Sequence, residues 1–183
     1  AKTVKWQGTV QAEGIEKLKG NGGMIVSPTK VGYIIMTSDV KRLERKFAAK
    51  KRKRNKPGVV LCGSMEQVKE LAQMTPEIEA LYQKHWDQDI LLGCILPWKE
   101  EAKAQLPNDG TKDLMMDKRE TSCFVIKFGK PSEQIAHELW SKYHKFSFAS
   151  SANPSGKWNR GLVTGIGERI EAAADVIIEA DDY

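Results

Sequence analysis

The sequence predicts an α/β protein, a single-domain twisted mixed sheet with flanking helices. Three observations lead there. Short apolar runs of strand length recur along the chain, stretches with apolar residues three to four apart lie between them, and Gly, Pro or clustered polar residues bound the runs. At 183 residues and 40% hydrophobic content, the chain can bury a substantial core and is too apolar for wholesale disorder. No repeat and no linker divides it, so residues 1–183 are expected to form one domain.

Met24 to Ser27 and Tyr33 to Met36 have the character of short strands around a turn. Asp39 suits the N-cap of a helix whose apolar positions Val40, Leu43 and Phe47 share one face. That helix must stop before Pro57, because proline disfavours helix in the residue preceding it. Gly58 to Cys62 is then a buried strand and Met65 to Met74 a second helix. Pro76 fits the first turn of a third helix that carries Ile78, Leu81 and Tyr82 inward. Ile90 to Leu96 is the next strand. From Lys99 to Glu120 the pattern dissolves into charge, Pro and Gly, which predicts a mobile loop. Ser122 to Phe128 is a strand, and Pro131 to Tyr143 a helix with Ile135, Leu139 and Tyr143 about one turn apart. Phe146 to Ala149 is a short strand, Glu168 to Ala174 a last helix and Val176 to Ile178 a last strand.

Composition narrows the function classes. No apolar run approaches the roughly 20 residues needed to span a bilayer. Ala1 to Gln7 alternates Lys with apolar residues and lacks the apolar core of a secretory signal. Cys62, Cys94 and Cys123 are odd in number and widely spaced, without a CxxC pair, so free thiols in a reducing, cytoplasmic setting are expected and a zinc site is not. The net charge is +5, and its distribution is uneven. Lys41, Arg42, Arg45 and Lys46 lead into Lys50, Lys51, Arg52, Lys53, Arg54 and Lys56, a block that suits an anionic partner or a solvated helix end.

The usual catalytic constellations are weak. His85, His137 and His144 have no Ser or Cys partner near them in sequence, and Asp87 with Asp89 suits a solvated turn better than a metal site. No GxxxxGK[ST] phosphate loop occurs, and the GIG at Gly165 to Gly167 is too short for a dinucleotide fingerprint. Three loops at strand ends are more informative, because open α/β sheets bind ligands there. They are Ser27-Pro28-Thr29-Lys30-Val31-Gly32-Tyr33, then Lys50 through Pro57, then Ser150-Ser151-Ala152-Asn153-Pro154-Ser155-Gly156. Each gathers hydroxyls, amides or cations.

Taken in this order, the three loops resemble the YrdC-like family, whose best-known members are threonylcarbamoyl-AMP synthases. The family pattern is approximately PT-x-T-x-Y-G, then K-x-R-x-x-x-K/N-P, then S-x-N-x-S-G. Pro28, Thr29 and Tyr33 match the first segment, Lys50, Arg52, Lys56 and Pro57 the second, and Ser151, Ala152, Asn153, Ser155 and Gly156 the third. The similarity spans roughly Gly22 to Ile178.

The resemblance implies a reaction of ATP, bicarbonate and L-threonine that releases pyrophosphate and serves tRNA modification. By the same resemblance, Lys50 and Arg52 are the catalytic cations on the phosphates, with Lys56, Ser151 and Asn153 completing the ATP site. Thr29, Tyr33 and Lys127 fall on the amino-acid side. Mg²⁺ would accompany ATP, with no protein ligand assigned.

The departures cluster on that amino-acid side. Lys30, Val31 and Ile34 stand where the family commonly has an acid, a Thr and a Gly. Trp86-Asp87-Gln88-Asp89-Ile90-Leu91 corresponds to W-P-G-P-L-T, and Lys127-Phe128-Gly129-Lys130-Pro131 to R-V-P-x-H. Leu61 takes the place of a substrate-contacting His. The pattern therefore predicts retained ATP binding with an altered choice of amine. The alternative expectation is a non-catalytic binder of tRNA or double-stranded RNA, using the basic block as a phosphate-contacting face.

Overall fold

The structure is a computed structural model that describes residues 2–5, 15, 18, 24–30, 32–38, 58–106, 116, 119–151 and 176–179. In chain order the elements are β1 (Lys2–Lys5), β2 (Met24–Thr29), β3 (Gly32–Thr37), β4 (Val59–Leu61), α1 (Met65–Leu71), α2 (Pro76–Asp87), β5 (Leu92–Pro97), α3 (Glu100–Lys103), β6 (Thr121–Ile126), α4 (Ser132–Tyr143), β7 (Phe148–Ser151) and β8 (Val176–Glu179). Among the described residues, eight strands form one sheet in the order β1-β8-β2-β3-β7-β4-β6-β5. The β1/β8, β8/β2 and β4/β6 pairs are parallel and the others antiparallel, so the sheet is mixed, as the sequence predicts.

Alternate residues of the central strands feed two cores, because successive strand side chains point to opposite faces. Val60, Phe124, Ile126 and Phe148 join one core with Met65, Val68 and Leu71 of α1 and Tyr82 of α2. Leu61 and Ala149 join the other, with Ile135, Ala136 and Leu139 of α4 and with Ile25 and Met36 of the β2–β3 hairpin. Helices therefore cover both faces. Trp98, 1% exposed, closes the first core edge-on to Phe124 and Phe146, and its indole N–H donates to Ser122 Oγ at 2.7 Å.

Local chemistry sets the helix ends. Ser64 Oγ accepts from the Gln67 N–H at 3.1 Å, which satisfies a first-turn donor of α1, while Gln67 Oε1 accepts from the Gly63 N–H just ahead of the cap at 3.0 Å. Thr75 Oγ1 accepts from the Ile78 N–H at 3.2 Å ahead of Pro76 in the first turn of α2. The expected helix from Met65 to Met74 ends earlier, at Leu71, because Ala72 turns extended and bridges Trp98.

Two further expectations are corrected. Leu81 points outward, 41% exposed, since the inward stripe of α2 is Ile78, Tyr82 and Trp86 at four-residue intervals and Leu81 lies about 100° away from it. The segment expected to be a mobile loop from Lys99 begins instead with α3 and buries Ala102, Leu106 and Met116 in the first core. Lys103 pairs with Glu100 at 2.8 Å and with Glu120, binding the two ends of that segment together. Three buried apolar residues among many charges are too sparse to register as periodicity.

β1 is a strand that the sequence pattern did not announce. The expected helices after Asp39 and from Glu168 to Ala174, together with the whole basic block from Lys41 to Lys56, lie outside the described residues. No helix among the described residues is long and apolar enough to cross a membrane.

Candidate functional site

The strand registers place the β2–β3 turn, the end of β7 and the start of β4 at one end of the sheet. Thr29 pairs with Gly32 at the hairpin turn, Ser151 pairs with Ile34 two residues further down β3, and Val59, the first residue of β4, pairs with Ala149 of β7. The Ser27-to-Tyr33 hairpin therefore turns at this end, β7 exits here into the Ser151-to-Gly156 loop, and the chain enters β4 here directly after Pro57. Lys50, Arg52, Lys56 and Asn153 lie outside the described residues, and Ser151 is placed by its backbone.

A fourth segment meets the hairpin from across the sheet. β3, β7 and β4 separate β2 from β6 in the strand order, yet the Lys30 N–H donates to the Phe128 carbonyl at 2.8 Å. Twist accumulated over successive strands brings these diagonal corners together. Gly129, at φ +100°, permits the approach: a Cβ there would lie 2.9 Å from the Lys30 backbone nitrogen. The α4 N-terminus then clamps the hairpin. Ser132 Oγ, fully buried, lies 2.6 Å from the Pro28 carbonyl, to which it donates, and 2.7 Å from Ser27 Oγ.

At this junction the altered motif positions assemble into one charged cluster. Lys30 Nζ donates to the Asp89 carbonyl at 2.6 Å and to Asp89 Oδ1 at 3.1 Å. Lys127 Nζ lies 3.7 Å from the same Oδ1 and 4.0 Å from the centroid of the Trp86 ring, a cation–π contact. Asp89 and Lys127 are both left-handed, at φ 55° and 54°, a conformation uncommon for side-chain-bearing residues. The hydrogen bond from Lys30 holds the Asp89 carboxyl below the usual carboxylate range, with the Lys30, Lys127 and Lys130 charges acting in the same direction.

Of the expected amino-acid-side residues, Lys127 and Thr29 stand at this junction. Thr29 Oγ1 donates to the Gly32 carbonyl at 2.6 Å, closing the hairpin turn. Tyr33, also expected on the amino-acid side, is buried at 1% exposure. Leu61 is a core residue, 3% exposed. Lys30, Trp86 and Asp89 enter as residues that motif matching leaves out. A signal for them exists in the sequence, because Lys30 and Asp89 are departures of opposite charge.

The other candidates are accounted for by local structure. His85 Nδ1 lies 2.8 Å from the Leu81 carbonyl one turn back, and Asp87 accepts from Gln83 Nε2 at 2.9 Å. Burial raises the Cys62 thiol pKa, with Cys123 adding to the effect, so Cys62 is an inert core thiol. Among the described residues, no group of three or more His, Cys, Asp or Glu could hold a metal ion.

A family model described as "Telomere recombination", for the Sua5, YciO and YrdC proteins, matches residues 17–183. The crystal structure of a hypothetical protein, smu.1377c from Streptococcus mutans UA159, is 65% identical and superposes with a TM-score of 0.92, covering 100% of this chain and 70% of that one. P. abyssi Sua5 complexed with L-threonine is 22% identical with a TM-score of 0.68 over 98% of this chain and 49% of its own, so this chain spans about half of that protein. E. coli YciO is 17% identical with a TM-score of 0.70, over 97% and 82% of the two chains. At these two low identities the likeness is one of fold. No curated protein matches the chain significantly.

Proposed function

The chain belongs to the Sua5, YciO and YrdC family, and from that premise we propose that it uses ATP to form a carbamoyl-adenylate from bicarbonate and an amino acid. With L-threonine the product is L-threonylcarbamoyl-AMP, the activated group for a tRNA modification. The amine nitrogen bonds to the bicarbonate carbon with loss of water. A carbamate oxygen then attacks the α-phosphorus and expels pyrophosphate.

One observation carries this reading. The β2–β3 turn, the end of β7 and the start of β4, the strand ends that border the three loops in the chain, lie at one end of the sheet, which supports it. The reaction gathers negative charge on a triphosphate and a carboxylate, which requires fixed cations in a partly dehydrated site. In this reading Lys50 and Arg52 hold the phosphates, Arg52 through its planar fork, and Lys56 extends the positive surface. Ser151 and Asn153 supply hydrogen bonds to the nucleotide. Lys127 faces the amino acid and Thr29 supports the hairpin turn beside it. Mg²⁺ would arrive with the triphosphate, whose oxygens are its usual ligands, and no step is assigned to it here.

The test is mass spectrometry of products from ATP, Mg²⁺, bicarbonate and L-threonine, with a panel of other amines alongside. An adenylate that disappears with Lys50→Ala or Arg52→Ala supports the reading, and the accepted amine names the substrate. No adenylate and no pyrophosphate with any amine would overturn it and leave tRNA or double-stranded RNA binding as the function to assay.

A further inference from the structure

The cluster at the hairpin junction contains a carboxylate in a place built to hold one. Lys30 and Lys127 come from opposite corners of the sheet, and both ammonium groups approach a single oxygen, Asp89 Oδ1, at 3.1 and 3.7 Å. Two ammonium groups so close repel one another unless an anion lies between them. The lysines are held in place. Lys30 is tied through its backbone to Phe128, and Lys127, with its side chain 18% exposed, lies against the Trp86 ring.

The acid is held differently. Its side chain is 69% exposed, and it sits on the turn between α2 and β5. Solvent-exposed ion pairs of this kind are weak, so water and other anions compete for the lysines. Two cations thus face one acid, so the site remains attractive to a further negative group.

We propose that Lys30 and Lys127 form a subsite for the carboxylate of an amino-acid ligand, and that Asp89 fills this subsite from within and sets which amines enter. A ligand carboxylate must displace the Asp89 side chain, so acidic ligands are admitted at a cost in affinity. An amine without a carboxylate meets no such competition. The inference rests on the reading that the site takes an amino acid, and it assigns selectivity to residues outside the matched motifs.

The experiment needs no nucleotide. L-threonine and L-threoninol, which differ in the carboxylate alone, are titrated by calorimetry into the wild-type chain, Asp89→Asn and Asp89→Gly. Both replacements tolerate the left-handed backbone at φ 55°, so the turn survives them, and circular dichroism checks the fold. The expected result is L-threonine binding tighter by on the order of fivefold in both variants, with threoninol unchanged. Adding Lys30→Gln to Asp89→Asn should abolish the gain.

Equal or weaker L-threonine binding in the variants, an equal gain for threoninol, or no binding of L-threonine to any of the three proteins overturns the proposal. Adenylate formation is measured separately. An adenylate without the affinity gain rejects the role of Asp89 and leaves the activity standing. A gain without any adenylate rejects the activity and leaves the subsite.

Discussion

Ser132 joins the N-terminus of α4 to the hairpin that carries Pro28, Thr29 and Lys30, and Ser132→Ala tests whether this joint holds the junction. The substitution removes a fully buried hydroxyl that donates to the Pro28 carbonyl at 2.6 Å and shares a hydrogen with Ser27 Oγ at 2.7 Å. Each neutral hydrogen bond contributes about 1 kcal/mol net, and a buried acceptor left without its donor costs at least as much, so the loss is about 2 kcal/mol. In a chain of 183 residues, that lowers the melting temperature by roughly 4–8 °C. Urea unfolding followed by circular dichroism gives the free energy, with the slope in urea expected to be unchanged.

A double-mutant cycle with Ser27→Ala isolates the contact between the two hydroxyls, with an expected coupling of about 1 kcal/mol. Loss of less than about 0.5 kcal/mol in Ser132→Ala, with no coupling to Ser27, would show that the hairpin is held by apolar packing and that the hydroxyl clamp is incidental.

Two further outcomes follow from the geometry. The Tyr82 hydroxyl, fully buried, donates to the Phe124 carbonyl at 2.6 Å and accepts from the Cys94 N–H at 3.1 Å. Tyr82→Phe should therefore lose about 1–3 kcal/mol in urea unfolding, and a neutral result would mean that the β5–β6 pair satisfies both groups without it. The Lys30–Asp89 bond carries a pH signature. A carboxyl held below its ordinary value, near 3.8, contributes stability that is present above that value and is lost as the pH falls through the depressed one. The stability difference between wild type and Asp89→Asn should be flat above about pH 5, under about 1 kcal/mol because the pair is exposed, and fade as the pH falls through the depressed value. A difference that grows on acidification contradicts the ion pair.

Much of this protein is local in origin, and that part is legible in the sequence. The apolar runs within Gly58 to Cys62 and Ser122 to Phe128 announce strands because a two-sided sheet needs both faces of its central strands apolar. Thr75 and Pro76 announce the start of α2 because capping is a matter of adjacent residues. The three candidate loops are likewise visible, since their residue types stand together along the chain. Leu81 and the stretch after Lys99 misled for the same local reason: composition does not say which face a helix turns inward, or that Leu106 and Met116 find a core.

Tertiary structure decided the meetings. Lys30, Asp89 and Lys127 lie far apart in sequence, and no periodicity links them. They meet because the accumulated twist of the sheet brings the corner of β2 against the corner of β6, with Gly129 allowing the backbones to touch. Sequence alone supplied the charges, and the curl of the sheet supplied the distances that turn them into one cluster.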